Sequence, residues 1–176
     1  MKSKNDKMKV ILVADVSANG KLLLTDNPNH PVPKAGVDFY MQKVIQAGNL
    51  IIGRKTLETF QQHFGGIQQL FPGIEVVLLS RSNSEAYGCK VVHSPEEAVN
   101  HLQEKGFEEI VVGGGVQVYN IFLNRGMLTD IYFNYVPVIV GEGGTLGTAT
   151  DLLTRFEMME HKLLNEGIVQ IHLRKA

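Results

Sequence analysis

Three short stretches of the chain combine residue types that suit a bound anion. Gly53-Arg54-Lys55-Thr56 follows the apolar run Leu50-Ile51-Ile52 and opens a helical pattern, with Thr56 placed to cap it. Cations at a helix start are electrostatically misplaced unless they answer an anion. Ser80-Arg81-Ser82 ends the run Val76–Leu79, and a guanidinium between hydroxyls suits a phosphate monoester. Gly113-Gly114-Gly115 separates Ile110-Val111-Val112 from Val118, Ile121, Phe122 and Leu123, which recur at helical spacing from Val116 onward. Glycine permits a sharp turn and close approach, and the free N–H groups of a helix start favour an anion. Together Arg54, Lys55 and Arg81 match a doubly charged group, which separates a 2′-phosphorylated dinucleotide from its plain counterpart. Each stretch alone reads equally well as an ordinary turn with solvated charges.

Two carboxylates are candidates for a proton donor. Asp15 follows Val10–Ala14 where the first strand leaves the sheet, and Asp38 lies in the expected first turn of a helix. Burial in an apolar cleft raises a carboxyl pKa toward the range a general acid needs. A turn residue and a helix-start charge are the plain alternatives. Ser17 and Lys21 stand in a turn, Ser17-Ala18-Asn19-Gly20-Lys21, where the lysine suits either a substrate phosphate or solvent. The six histidines have no metal-ligand spacing, so no metal is expected. No base stands near Cys89 in the sequence to make it a nucleophile.

The elements that must carry these groups follow from periodicity. Strands are expected at 9–14, 49–53, 75–82, 90–92, 108–114 and 130–140, with a short one at 22–24. Residues 27–34 hold three prolines and form a loop. From Gly36 a helix is expected with Val37, Tyr40, Met41, Val44 and Ile45 on its buried face. Ser94, followed by Pro95 and Glu97, is an N-cap with proline at the first helical position and an acid at the third. The chain closes as a hairpin around Asn165-Glu166-Gly167, with Val169, Ile171 and Leu173 facing one way and Gln170, His172 and Arg174 the other. Strand–helix alternation followed by helix-free strands predicts an α/β fold, a mostly parallel sheet with an antiparallel C-terminal hairpin. A polar tail (1–8) precedes a single domain (9–176).

Composition is that of an ordinary globular chain: 176 residues, 44% hydrophobic, 20% charged. A net charge of −1 supplies no field for nucleic acid or an anionic membrane, and no apolar run reaches spanning length. One cysteine fits a reducing cytoplasm. Neither the Gly-x-Gly-x-x-Gly fingerprint, whose third glycine is Val118 here, nor Gly-Lys-Ser/Thr is present.

In order and spacing, IIGRKTLETF, VVLLSRS and IVVGGGVQVYNIFL resemble the strand–helix motifs of the dihydrofolate reductase superfamily, over about residue 9 to the C-terminal hairpin. The resemblance is nearest to the reductase domain of riboflavin biosynthesis. It implies a three-layer fold with an eight-stranded sheet that binds NADPH. By that resemblance Gly53, Arg54, Lys55 and Thr56 meet the pyrophosphate and 2′-phosphate side, Ser80 and Arg81 hold the 2′-phosphate, and Gly113, Gly114, Gly115 and Val116 receive the pyrophosphate. Ser17, Lys21 and Asn134 fall on the side of a small heterocyclic substrate. The folate branch is a poorer match: there is no tryptophan, Ile74 stands where an arginine holds the folate tail, and Asn134 replaces a threonine. The Ser17–Lys21 turn and Pro137–Leu146 are similar to loops of the riboflavin-pathway enzymes, with Asn19 in place of an aspartate. The implied activity is hydride transfer from NADPH to a 5-amino-6-(5-phosphoribosylamino)uracil-like compound by a homodimer. Dihydrofolate reduction and a non-catalytic NADPH-binding paralogue or sensor are the alternatives.

Overall fold

The computed structural model describes residues 8–82 and 86–176. Residues 1–7 of the expected tail lie outside the described residues, while Met8 is half-buried against the core. Eight strands form one sheet: β1 (Lys9–Ser17), β2 (Asn49–Gly53), β3 (Glu75–Leu79), β4 (Lys90–Val92), β5 (Glu109–Gly114), β6 (Asp130–Val136), β7 (Phe156–Leu163) and β8 (Val169–Lys175). Their order is β4-β3-β2-β5-β1-β6-β8-β7. Only β8 runs against its neighbours, antiparallel to β6 and β7.

Among the described residues five α-helices flank the sheet: α1 (Lys34–Ala47), α2 (Arg54–His63), the short α3 (Ile67–Leu70), α4 (Pro95–Glu104) and α5 (Val116–Asn124). Alternate strand residues point to opposite faces, so the apolar runs serve two cores. Leu50, Ile52 and Leu78 pack with Val44 of α1 and Leu57 of α2 on one face. Leu12, Ile51 and Val112 pack with Leu102 of α4 and Phe122 of α5 on the other. All five residues of β2 are buried, as expected of a parallel strand covered on both sides. Helix α4 starts as its sequence predicts, with Ser94 Oγ accepting from the Glu97 N–H at 3.1 Å.

Several boundaries differ from the sequence expectation. Strand β3 ends at Leu79, beside the last β4 partner, Val92, and β6 ends at Val136. Pro137 follows β6 and has no N–H for the ladder. Of residues 22–24 only Leu22 makes bridges, to Val16 and Gly144. Helix α1 begins at Lys34, so Asp38 lies beyond its first turn. Its buried stripe is Gly36 and Val44 with half-buried Tyr40, at i, i+4 and i+8. Val37 and Ile45, expected inside, are exposed.

Candidate active site

The strand ends that carry the glycine turns lie side by side. In sheet order the sequence runs β3 with Ser80 and Arg81, β2 with Gly53 to Thr56, β5 with Gly113 to Gly115, then β1 with Asp15. Three inter-strand steps span about 14 Å. Gly53 is in contact with the next junction: a Cβ there would stand 2.8 Å from Val118 Cγ2 and 3.8 Å from the Gly114 oxygen. Thr56 does not cap α2, whose N-cap is Gly53 without a side-chain bond. Its Oγ1 instead faces Gly115, 3.3 Å from where a Cβ would be.

Neither α2 nor α5 has a side-chain cap or an acidic residue in its first turn. The leading N–H groups of both helices are therefore left for an anion. Two of the cations around them are already engaged. Lys55 Nζ pairs with Asp26 Oδ2 at 2.7 Å, tying α2 to the proline-rich loop. That bond holds the Asp26 carboxyl below its usual range. Arg54 reaches the Ser82 carbonyl at 3.4 Å, and Arg81 is exposed at the end of β3. The Ser80 carbonyl accepts from, or is approached by, His93 Nδ1 at 2.7 Å.

Between β5 and β1 the sheet opens. The two strands pair from Lys9↔Glu109 to Leu12↔Val112. Beyond that, β1 continues on β6 alone as far as Ser17↔Val136, while Gly114 pairs with Ile52 of β2. The split leaves backbone carbonyls that a continuous sheet would have paired, and buried carbonyls need partners. Two tyrosines supply them from opposite faces. Tyr40 of α1 donates to the Gly113 oxygen at 3.1 Å, and Tyr119 of α5 donates to the Val13 oxygen at 2.9 Å. A side chain at Gly113 would meet the Tyr40 hydroxyl at 2.2 Å. Burial lifts both phenols above their ordinary range, with the Asp15 charge adding to the effect on Tyr119.

Asp15 lies two residues past Val13, at this split. Burial raises its carboxyl pKa, opposed by a bond from Asn134 Nδ2 to Oδ1 at 2.8 Å. Asn134 is fully buried, and its own oxygen accepts from Gln170 Nε2 at 2.8 Å. Gly36 sits against the carboxyl: a Cβ there would lie 2.5 Å from Oδ1 and 2.6 Å from Oδ2. The absent side chain on α1 is what gives Asp15 its room. Asp38, by contrast, is exposed and bonded to Lys34 one turn earlier, outside this group.

The expected substrate-side residues Ser17 and Lys21 hold loops together. Ser17 is fully buried and donates to Asn19 Oδ1 at 2.7 Å. Asn19 in turn donates to the Val140 oxygen at 2.9 Å and accepts from the Val140 N–H. An aspartate could not supply that donor, which accounts physically for asparagine at this position. Lys21 Nζ donates to the Gly141 carbonyl. Periodicity gave no signal for His30, which is buried at the crossing of two loops. Its Nδ1 accepts from the Leu24 N–H at 2.8 Å, and its Nε2 stands 2.9 Å from the Glu142 oxygen. His30→Ala removes both contacts and is expected to cost about 1–3 kcal/mol. Amide exchange should speed up at Leu24 while the amides of β5 stay protected.

Among the described residues no group of three or more His, Cys, Asp or Glu could hold a metal ion. No helix in them is long and apolar enough to cross a membrane. Burial pushes the Cys89 thiol up, away from a reactive thiolate. Two shallow hollows of about 450–470 Å³ lie elsewhere, at the start of β3 around Glu75 and Lys105. There both Glu75 oxygens are already taken, by His101 and Lys105.

The fold is shared with solved structures. A pyrimidine reductase-like protein from Corynebacterium diphtheriae superposes with a TM-score of 0.75 at 15% identity, over 97% of this chain and 93% of that one. RibD from Acinetobacter baumannii gives 0.75 at 12% identity, over 98% of this chain and 59% of that one. An uncharacterised protein, YyaP, from Bacillus subtilis is 28% identical over 75 residues, which span 43% of this chain and 40% of that protein. The model of the dihydrofolate reductase family matches residues 35–162, from the first turn of α1 to the end of β7. With that match across most of the sheet, the chain belongs to the dihydrofolate reductase family.

Proposed function

We propose that residues 9–176 form an NADPH-dependent oxidoreductase that reduces a pyrimidine- or pterin-type heterocycle, of the kind handled by riboflavin-pathway reductases. The observation that carries the reading is the split between β1 and β5, with glycine-led helix starts on one side and a buried carboxyl on the other. In an open α/β sheet, ligands lie beyond the carboxyl ends of the strands. The uncapped starts of α2 and α5 suit a pyrophosphate. Arg54 and Arg81, at the ends of β2 and β3, suit a 2′-phosphate. When bound, the reduced nicotinamide would supply the hydride.

The chain's own residues then do three things. The N–H groups of α2 and α5 hold the anionic end in register. Tyr40 and Tyr119 keep the split open by satisfying the backbone that lines it. Asp15 delivers the proton that a reduced heterocycle must gain, and burial keeps its carboxyl protonated further toward neutral pH than usual. Asp15 on β1 takes the part that a carboxylate on α1 was expected to play.

Cofactor choice is tested on Arg81. Arg81→Ala is expected to weaken NADPH binding about tenfold, the loss of one charge-assisted contact, while leaving NADH unchanged. Fluorescence titration with both cofactors measures this, and equal effects on both would remove the 2′-phosphate from the proposal. Turnover is then compared on dihydrofolate and on 5-amino-6-(5-phosphoribosylamino)uracil. Reduction of the phosphoribosyl compound supports the reading, fast turnover of dihydrofolate replaces it with the folate activity, and binding without turnover points to a sensor.

The partner we propose is a second copy. Strand β7 closes the sheet and exposes nearly all of its length, with Met158, Met159 and Leu163 open to solvent and Val169 beside them. An uncovered apolar edge invites pairing. Sedimentation should give twice the chain mass, and Met158→Lys with Leu163→Lys should return it to one.

A further inference from the structure

We propose that Gln170 is a positioning residue for Asp15. Acting through the Asn134 amide, it decides which oxygen of the Asp15 carboxyl is available to carry a proton into the split. The inference rests on the reading of Asp15 as the proton source and assigns a role to two buried amides that no part of cofactor binding requires.

The geometry is a directed chain across three strands. Gln170 on β8 stands opposite Asn134 on β6, which stands opposite Asp15 on β1. Gln170 Nε2 donates to Asn134 Oδ1, and Asn134 Nδ2 donates to Asp15 Oδ1, both at 2.8 Å. Gln170 and Asn134 are 2% and 0% exposed, so no solvent competes for these bonds. Asp15 Oδ2 takes no hydrogen bond from the described residues. No buried side-chain polar atom there lacks a partner, so Oδ2 meets open space.

An amide is nearly symmetrical in shape but not in hydrogen bonding. With the observed polarity, Asp15 Oδ1 is an acceptor and any proton must sit on Oδ2, the open oxygen. If both amides turned over, Asn134 would present its oxygen. Asp15 would then have to be protonated on Oδ1, with the proton facing inward. The two polarities have the same shape and opposite consequences.

On its other side Gln170 faces its ladder partner Lys162 on β7, whose Nζ lies 5.8 Å from the centre of the Phe39 ring. The polarity observed has the Gln170 NH2 group toward Asn134. Tyr119 of α5 feels the Asp15 charge, and Tyr40 of α1 lies one turn from Gly36, which packs on the Asp15 carboxyl; burial raises both phenols, so both stay protonated. Neither supplies a charge that could set the proton's place.

The test reads Asp15 itself, in ligand-free protein, by the pH dependence of its side-chain carbon-13 resonance. Gln170→Glu keeps the shape and offers only acceptors, which turns Asn134 over. The Asp15 midpoint is expected to rise by at least one pH unit, about tenfold in proton affinity. Gln170→Met has no charge and no donor, and it separates orientation from repulsion; a smaller rise in the same direction is expected. In both variants the alkaline limb of the pH–rate profile should shift with the midpoint while NADPH affinity stays put. Unchanged midpoints in both folded variants overturn the proposal, and if the Glu variant does not fold, the Met variant decides alone. Shifted midpoints in a protein that reduces nothing would keep the relay and discard the proposed activity. Turnover with no shift would do the reverse.

Discussion

Replacing Asp15 by asparagine is expected to slow turnover by about 10²–10⁴-fold, the usual worth of a positioned proton donor. NADPH affinity should stay within about twofold, because Asp15 belongs to β1, across the split from the glycine turns of β2 and β5. The pH dependence has a definite sign. Burial raises the Asp15 pKa, so the protonated, donating form is lost as pH rises through the folded-state value. Wild-type turnover should therefore fall on the alkaline side of that pKa, and the asparagine variant should lack that limb. Stability follows pH in the same direction. A carboxyl whose pKa is higher folded than unfolded favours the fold below its unfolded pKa and loses that contribution as pH rises through the folded one. Asp15→Asn should accordingly stabilise the protein at neutral pH by about 1 kcal/mol, the common size of a function-for-stability exchange, and the gain should vanish in acid. Single-turnover rates and urea melts at several pH values measure both. A variant that keeps wild-type rates would remove Asp15 from the chemistry.

The second large effect is expected at Gly114, where φ is +112°, a conformation side chains rarely adopt. Gly114→Ala strains the backbone by about 1–3 kcal/mol. It also sets a Cβ 3.2 Å from the Tyr119 hydroxyl, which holds the Val13 carbonyl at the split. NADPH affinity should fall at least tenfold, since the turn that aims α5 moves. Gly106→Ala is the control. It too has a positive φ, +87°, but nothing stands within 4 Å and it follows α4, away from the strand ends. Its thermal stability should drop while cofactor titration stays normal. A Gly114 variant that binds NADPH as tightly as the Gly106 variant would detach the glycine turn from the cofactor.

The sheet was largely legible because its strands announce themselves. Runs such as Leu50-Ile51-Ile52 and Ile110-Val111-Val112 are buried on both faces, and Gly53 and Gly113–Gly115 mark where each turns into a helix. The glycine turns were therefore found with their neighbours in the right order. The hydrogen-bonded amides behind Asp15 were not, because Asp15 and Asn134 are 119 residues apart and Asn134 and Gln170 a further 36. No local pattern joins them, and Gln170 read only as one polar residue of an alternating strand. Asp38 was expected in the first turn of α1, but the helix opens at Lys34 and leaves it beyond that turn. Tyr40 and Gly36, on that helix's inner stripe, are the α1 residues that reach the split. The ion pair of Lys55 was not legible because Asp26, its partner, lies in a proline-rich loop whose course periodicity cannot give.

The sheet order also bears on how a chain of this kind is made. Strand β7 precedes β8 in the sequence but has β8 as its sole neighbour in the sheet. On the ribosome β7 therefore emerges with nothing to dock on, and its backbone stays unpaired until β8 slides in between it and β6. That interval is the moment of greatest exposure to aggregation, and slowing translation just after residue 163 should lengthen it.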